Sequence, residues 1–272
     1  MHGRATALLL VAATAGSAHA ELRGTTRPLR DVELHAPVDA QIASVEVAES
    51  ESVAAGQKLV QLDDAVQRLR TRIAAQKAEA RGVLEELRVA HALEVGKAQR
   101  VRESFETGAA QQWEVLEADA RRDAAAARLT AATEEQAQAA AQLELERALL
   151  ERFAITAPFA GTVVTVDAEA GDNATRDDVL LRLVQTDPLE LVVYFPAGDY
   201  GTLTPGETAS AEAPGFLDAP ATATLTTIDP IIDAGSDSFR VIFTLPNPDG
   251  RLPAGVPMTL GDAEVERLTA VD

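Results

Sequence analysis

The sequence predicts an elongated α+β multidomain chain. A long antiparallel α-helical coiled-coil hairpin is inserted in a small β-sandwich and followed by a small β-barrel. Three observations carry this prediction. No proline occurs between Pro37 and Pro158, whereas eleven follow from Pro158 to Pro257, so the helices belong in the proline-free window. Inside that window, residues 64–152 are rich in Ala, Glu, Gln, Arg and Leu, all good helix formers. Finally, the segments flanking the window repeat one another at a constant offset of 121 residues: Ala36-Pro37 meets Ala157-Pro158, Ile42 meets Val163, Val45 meets Val166, Leu59 meets Leu180 and Leu62 meets Leu183.

Taken in order, the chain opens with a targeting segment. Arg4 precedes a short apolar run, Ala5 to Ala15, and Ala18-His19-Ala20 fits a small-x-small cleavage site. Residues 1–20 read as a removed signal peptide, because the apolar run is shorter than the roughly 20 residues a span requires. Residues 21–34 form an N-terminal segment. Residues 35–63 and 153–184 are the two repeated halves. Each alternates apolar and polar residues between small-residue breaks, as short strands do, and each is too short to bury a core alone, so the two should pair into one module.

Between them, residues 64–152 predict the hairpin. Leu69, Ile73, Gln76, Ala80, Val83, Leu87 and Ala90 recur at alternating spacings of three and four, a heptad seam. Trp113, Leu116, Ala120, Ala124, Ala127, Ala131, Leu145 and Leu149 continue it on the second arm. The tip falls near Thr107-Gly108, where glycine accepts the left-handed backbone that ends a helix. Each arm is about 40 residues, or ~60 Å of helix. Gly82 and Gly96 lie within the first arm, fourteen residues apart on one face, where close helix approach is one reason for them. Residues 185–261 predict the barrel, with strand-like runs at 189–195, 221–228 and 239–245 separated by Pro and Gly turns. A short tail, 262–272, follows.

The order half-module, hairpin, half-module, barrel resembles the periplasmic adaptor (membrane fusion protein, HlyD-like) family, whose half-modules are of the lipoyl type. The likeness continues in Ile228-Asp229-Pro230, Arg240-Val241 and Asn247-Pro248-Asp249-Gly250-Arg251-Leu252-Pro253-Ala254-Gly255, with Val256 where the family usually has Met. Many relatives add a membrane-proximal domain from both chain ends. Here that domain reads as truncated or absent. The resemblance implies a periplasmic, inner-membrane-associated subunit of a tripartite efflux pump. Its partners would be an inner-membrane transporter of the resistance–nodulation–division (RND) type, an outer-membrane channel, and copies of itself as a hexamer or trimer of dimers. The alternatives are an adaptor of an ATP-driven (ABC or type I secretion) exporter and a non-transport coiled-coil scaffold. Relatives that dock a channel carry Arg, Leu and Ser around the tip. Arg100 matches the Arg, Ser104 stands for the Leu, and Gln111 for the Ser. The implied docking residues are Arg100, Arg102, Phe105, Gly108, Gln111 and Trp113.

Composition narrows the remaining function classes. The formal charge of −19 opposes nucleic-acid binding, which needs basic patches. The hairpin segment, with 14 basic and 16 acidic residues, is nearly neutral, so the acidity sits on the flanking parts. There is no cysteine, hence no thiolate metal site or Cys nucleophile. Phosphate loops and nucleophile elbows are missing. No enzyme activity, cofactor or metal is expected. Asp63-Asp64 reads as a helix cap, Asp177-Asp178 as a turn, and His91 as a helical surface residue. Lys58, at a strand position, is misplaced for a carrier lysine.

Overall fold

The computed structural model describes residues 22–261, so the expected signal peptide and C-terminal tail lie outside the described residues. In chain order the elements are β1 (Arg23–His35), β2 (Ala40–Val45), β3 (Ser52–Val53), β4 (Lys58–Leu62), α1 (Ala65–Glu79), α2 (Gly82–Glu106) and α3 (Gln112–Glu151). There follow β5 (Ala154–Thr156), β6 (Gly161–Val166), β7 (Asn173–Ala174), β8 (Val179–Pro196), β9 (Thr208–Glu212), β10 (Ala221–Asp233), β11 (Ser238–Leu245) and β12 (Pro257–Leu260). The chain divides into two units. One comprises residues 33–158 and 165–182; the other comprises 22–32, 159–164 and 183–261.

The 121-residue repeat is structural. β2 and β6 are offset by 121, as are β3 and β7, and β4 and the start of β8. Burial repeats with it. Ile42 and Val163, Leu59 and Leu180, and Leu62 and Leu183 are all core residues, as are Ala36 and Ala157. In the first unit the two halves share a sheet of order β5-β4-β2-β7. β4 pairs antiparallel with β5, Val60 opposite Ile155 and Gln61 opposite Ala154. β2 pairs with β7, Ala40 opposite Ala174. Backbone bonds beyond the strands finish the closure. The Gly56 amide donates to the Ala157 carbonyl at 2.8 Å, the Ala157 amide to Gln57 at 2.9 Å, and the Ile42 amide to Asp172 at 2.8 Å.

The hairpin differs from its sequence reading in three ways. First, its seam lies elsewhere. Leu69, Ile73, Val83, Trp113, Leu116 and Leu145 are exposed. The first arm instead turns inward Gln67, Thr71, Ala74 and Ala78, then Leu84, Leu87, His91, Glu94, Ala98 and Val101. On α3 the inward residues are Val115, Ala118, Arg122, Ala125, Leu129, Ala132, Gln136, Ala139, Leu143, Glu146 and Leu150. The seam mixes Leu and Val with small and polar side chains, and some of the polar ones bond across it. The Gln67 amide donates to the Glu146 carboxylate at 2.7 Å, and the Thr71 hydroxyl to the Glu146 carbonyl at 3.2 Å. Second, the first arm is two helices. Ala80 leaves α1 in an extended conformation (ψ 103°) and Arg81 starts α2. Third, a Cβ placed on Gly82 or Gly96 meets nothing within 4 Å, so no close approach within the hairpin explains them. His91 is half-buried in the seam rather than on the surface.

In the second unit the strand order is β1-β12-β9-β10-β11-β8, and β1 also pairs with β8, which closes the sheet on itself. Alternate residues of β8 and β11 face the interior in register: Leu189 with Leu245, Leu191 with Phe243, Val193 with Val241 and Phe195 with Phe239. Phe195 packs on Phe239 and Phe243 with ring centroids 6.1 and 6.4 Å apart, and Tyr200 meets Phe239 edge-on. The first strand was not expected. It enters where a Cβ on Gly24 would come within 2.6 Å of the Val192 carbonyl oxygen, so a side chain there would block the closure. Thr26 is buried, its hydroxyl accepting from the Val256 amide at 2.9 Å.

The motif residues explain themselves in this unit. Arg240 pairs with Asp229 at 3.0 Å across the irregular β10–β11 ladder. Buried Asn247 donates to the Thr186 and Leu252 carbonyls at 3.0 and 2.8 Å and accepts from the Leu252 amide at 3.1 Å. It ties the 247–252 loop onto itself and onto the start of the β8 pairing.

Two stability measurements check this account. Asn247→Ala leaves buried backbone groups unpaired and is expected to cost about 2–4 kcal/mol in denaturant unfolding. Gly96→Ala adds a methyl into open space in a helix interior and is expected to stabilise the hairpin by about 0.5–1 kcal/mol in thermal unfolding followed by helical circular dichroism.

Candidate functional site at the hairpin tip

The tip is a rigid frame made by backbone and capping bonds. α2 ends at Glu106, and Gly108 takes the left-handed conformation (φ +75°) that turns the chain. The Gly108 amide donates to the Phe105 carbonyl at 3.0 Å, and the amides of Ala109 and Ala110 both reach the Ser104 carbonyl, at 2.8 and 3.2 Å. The Glu103, Ser104 and Phe105 carbonyls at the end of α2 are thus satisfied. α3 begins with a capping box. The Gln111 side chain accepts from the Glu114 amide, and the Glu114 carboxylate accepts from the Gln111 amide at 2.6 Å. Glu114 in this first turn also complements the helix dipole.

The six residues singled out by sequence have distinct places here. Gly108 shapes the turn. Gln111 is a frame residue, whose side-chain oxygen also accepts from the Trp113 indole at 3.1 Å. Arg102 is engaged across the hairpin, 2.5 Å from the Asp119 carboxylate. Asp119 also takes Arg122 at 3.1 Å, and Arg122 bonds Asp123 at 2.7 Å, which raises the Arg122 pKa above its ordinary value. Arg102 is therefore a brace. Phe105 and Trp113 stand 44% and 59% exposed. Arg100 and Trp113 line a cleft of about 510 Å³ on the side of the hairpin, with Val101, Ala110, Ala118 and Arg121. The structure brings Arg100 and Trp113 together in that cleft; Phe105 is not among its lining residues. Ser104 does not replace an apolar contact, because its hydroxyl donates to the Arg100 carbonyl at 2.9 Å. Sequence reasoning missed Arg121, which reaches the cleft one heptad past Glu114 while paired with Glu117 at 2.5 Å. The continued heptad count was the signal that could have found it.

The other chemical candidates are occupied structurally. The Asp63 carboxylate accepts from the Ala65 amide at 3.0 Å, and Asp64 pairs with Arg68 at 2.6 Å, so both serve the start of α1. Asp178 accepts from the Thr175 amide and hydroxyl at 2.7 and 2.9 Å. Those bonds hold its carboxyl below its ordinary range and close a turn. Lys58 pairs with Glu46 at 2.6 Å. Among the described residues no group of three or more His, Cys, Asp or Glu stands where a metal could be held. Among them, too, no helix is long and apolar enough to cross a membrane.

Comparison with known proteins agrees with this architecture. Residues 30–186 match the family described as RND MFP (membrane fusion protein), barrel-sandwich hybrid domain, and residues 191–263 match the CusB-like β-barrel domain. No curated protein gives a significant sequence match. Among solved structures, MacA from Actinobacillus actinomycetemcomitans is similar with a TM-score of 0.72 at 17% identity, over 89% of this chain and 78% of that one. The membrane fusion protein Spr0693 from Streptococcus pneumoniae R6 gives 0.58 at 17% identity, over 89% and 98%. A putative efflux transporter from Bacteroides eggerthii gives 0.53 at 17% identity, over 89% and 67%. At these identities the likeness carries the fold, and the family match covers more than half of the sequence. The chain therefore belongs to the membrane fusion protein family, the periplasmic adaptors of efflux pumps.

Proposed function

We propose that the protein is the periplasmic adaptor of a tripartite pump. It would join an RND-type inner-membrane transporter to an outer-membrane channel through the hairpin tip, and act in several copies, six by analogy with the family. The observation that carries this reading is the tip itself: a frame fixed by capping bonds that leaves Phe105, Trp113 and the Arg100 cleft open to a partner. The hairpin flanks support lateral packing between copies. Val66, Leu69, Ile73, Val83, Val89 and Leu93 are exposed apolar residues, a load that an isolated helical pair has no use for. The RND choice rests on the description of the matching family. In this reading the partner transporter supplies the energy for transport. The adaptor seals the path and transmits conformation.

The lack of cysteine makes a direct test simple. A single cysteine at position 105 or 113 should cross-link to the outer-membrane channel in cells that express the whole pump. Arg100→Glu combined with Trp113→Ala should lower channel capture at least tenfold and abolish export, while co-purification with the inner-membrane transporter stays at the wild-type level. Unchanged channel capture rules out tip docking. Co-purification with an ATP-driven exporter instead of an RND transporter overturns the choice of motor.

A further inference from the structure

The two arms of the hairpin do not carry the same count. On α3 the inward residues alternate by three and four without interruption from Val115 to Leu150. On the first arm the alternation holds within α1 (67, 71, 74, 78) and within α2 (84, 87, 91, 94, 98, 101), but the step from one set to the other is wrong. Set in antiparallel order, the α1 positions face 150, 146, 143 and 139, pairs whose numbers total 217 throughout. The α2 positions face 132, 129, 125, 122, 118 and 115, pairs that total 216. The Thr71 to Glu146 hydrogen bond falls on the first register, and Leu84 lines the same groove as Ala132 in the second. The first arm is therefore one residue short of its partner. A continuous helix would have to absorb that deficit as overwinding. The chain opens instead: Ala80 is extended and α2 restarts at Arg81 without a side-chain cap. The α3 seam residue left facing the gap is Gln136, and its side-chain amide donates to the Ala78 carbonyl, one of the acceptors freed at the end of α1.

We propose that Ala80–Arg81 is a joint in the hairpin. A one-residue deficit in the first arm opens the helix, Gln136 clamps the opened end, and the segment beyond residue 82 pivots there on the segment near the β-sheet. The joint is a property of the hairpin and holds whichever transporter the adaptor serves, so its failure and the failure of the pump assignment are separate outcomes.

The test is to repair the count in the full-length chain. Inserting one alanine between Ala80 and Arg81, together with Gly82→Ala, makes the first arm alternate by three and four without a break. The expected result is a higher unfolding temperature, at least tenfold slower hydrogen exchange at the amides of residues 81–84, and a narrower distance distribution between spin labels on Arg70→Cys and Val89→Cys. The same insertion between Ala90 and His91 spoils a correct register and should lower the unfolding temperature. Gln136→Ala keeps α3 helical and should broaden the label distribution by removing the clamp. If the insertion at 80 destabilises as much as the one at 90, or leaves exchange and label width unchanged, the joint is refuted. A label distribution unmoved by Gln136→Ala refutes the clamp.

Discussion

The structure of the first unit depends on one constraint: the strands that launch and receive the hairpin are hydrogen-bonded neighbours. Gln61 faces Ala154 in the β4–β5 pair, and the Leu62 amide donates to the Phe153 carbonyl at 2.8 Å. α1 starts three residues after Leu62, and α3 ends three residues before Ala154. Antiparallel strands pointing opposite ways thus hand on to antiparallel helices with almost no connecting chain. Strands sit about 4.8 Å apart and packed helices 8–10 Å apart, so the arms must part as they leave the sheet. Gln61 fills that divergence. Its side-chain amide lies within bonding range of the Leu62 and Phe153 carbonyls, at 2.9 and 3.2 Å, and of the Asp64 carboxylate at 3.3 Å. The register of α1 against α3 is set at this root, because nothing between the strands and the helices is long enough to slip.

What the sequence showed of this depends on scale. The repeat was legible because strand pairing has a rigid period: an offset of 121 preserves which residue of each half faces in, so Ile42 and Val163 could be matched by type alone. The barrel strands of β8 and β11 were legible as dense runs of Leu, Val, Ile and Phe, in which every second residue faces inward. β1 was not. The inward residues at its start are Leu22, Gly24 and Thr26, of which only one is a large apolar side chain, and Arg23, Arg27, Arg30, Asp31 and Glu33 interrupt the rest. Its role is to fit a narrow gap and to bond Val256, and neither leaves a hydrophobic signature. At the tip, the glycine turn and the residues from Arg100 to Trp113 were read as docking groups. The structure divides them into frame and open surface, a division made by hydrogen bonds that composition does not display.

The seam was misread for an instructive reason. Periodicity finds the stripe with the largest apolar side chains and assigns it to the nearest partner. In this hairpin the near partner gets Ala, Gln, Thr and Glu beside Leu84, Leu87, Leu129 and Leu143, and Val66, Leu69, Ile73, Val83, Val89 and Leu93 face away. Small residues let the two arms approach, and the polar ones form bonds such as Gln67 to Glu146 that specify alignment at some cost in stability, as buried polar residues do in coiled coils generally. An assembly that must hold its own register first and find neighbours second has a use for that order: alignment inside by hydrogen bonds, adhesion outside by apolar area.

The same separation governs the ends of the rod. At the root, backbone bonds and Gln61 fix position. At the tip, Gly108, Gln111 and Glu114 fix the turn, while Arg102 is bound to Asp119 across the two helices. The bracing pairs lie within about three turns of the tip. An exposed ion pair of this kind contributes little alone, but the linked set Arg102, Asp119, Arg122 and Asp123 lies where the helices would otherwise fray, since tips lack the flanking turns that hold a helix interior. A frame tied down by charge and capping leaves the side chains of Phe105 and Arg100 without structural duty and Trp113 exposed beside its one bond to Gln111. Side chains of these types, exposed on a backbone that is already ordered, bind without first losing backbone entropy. That is the physical condition a docking tip has to meet, and the polar frame of this hairpin meets it with little apolar core.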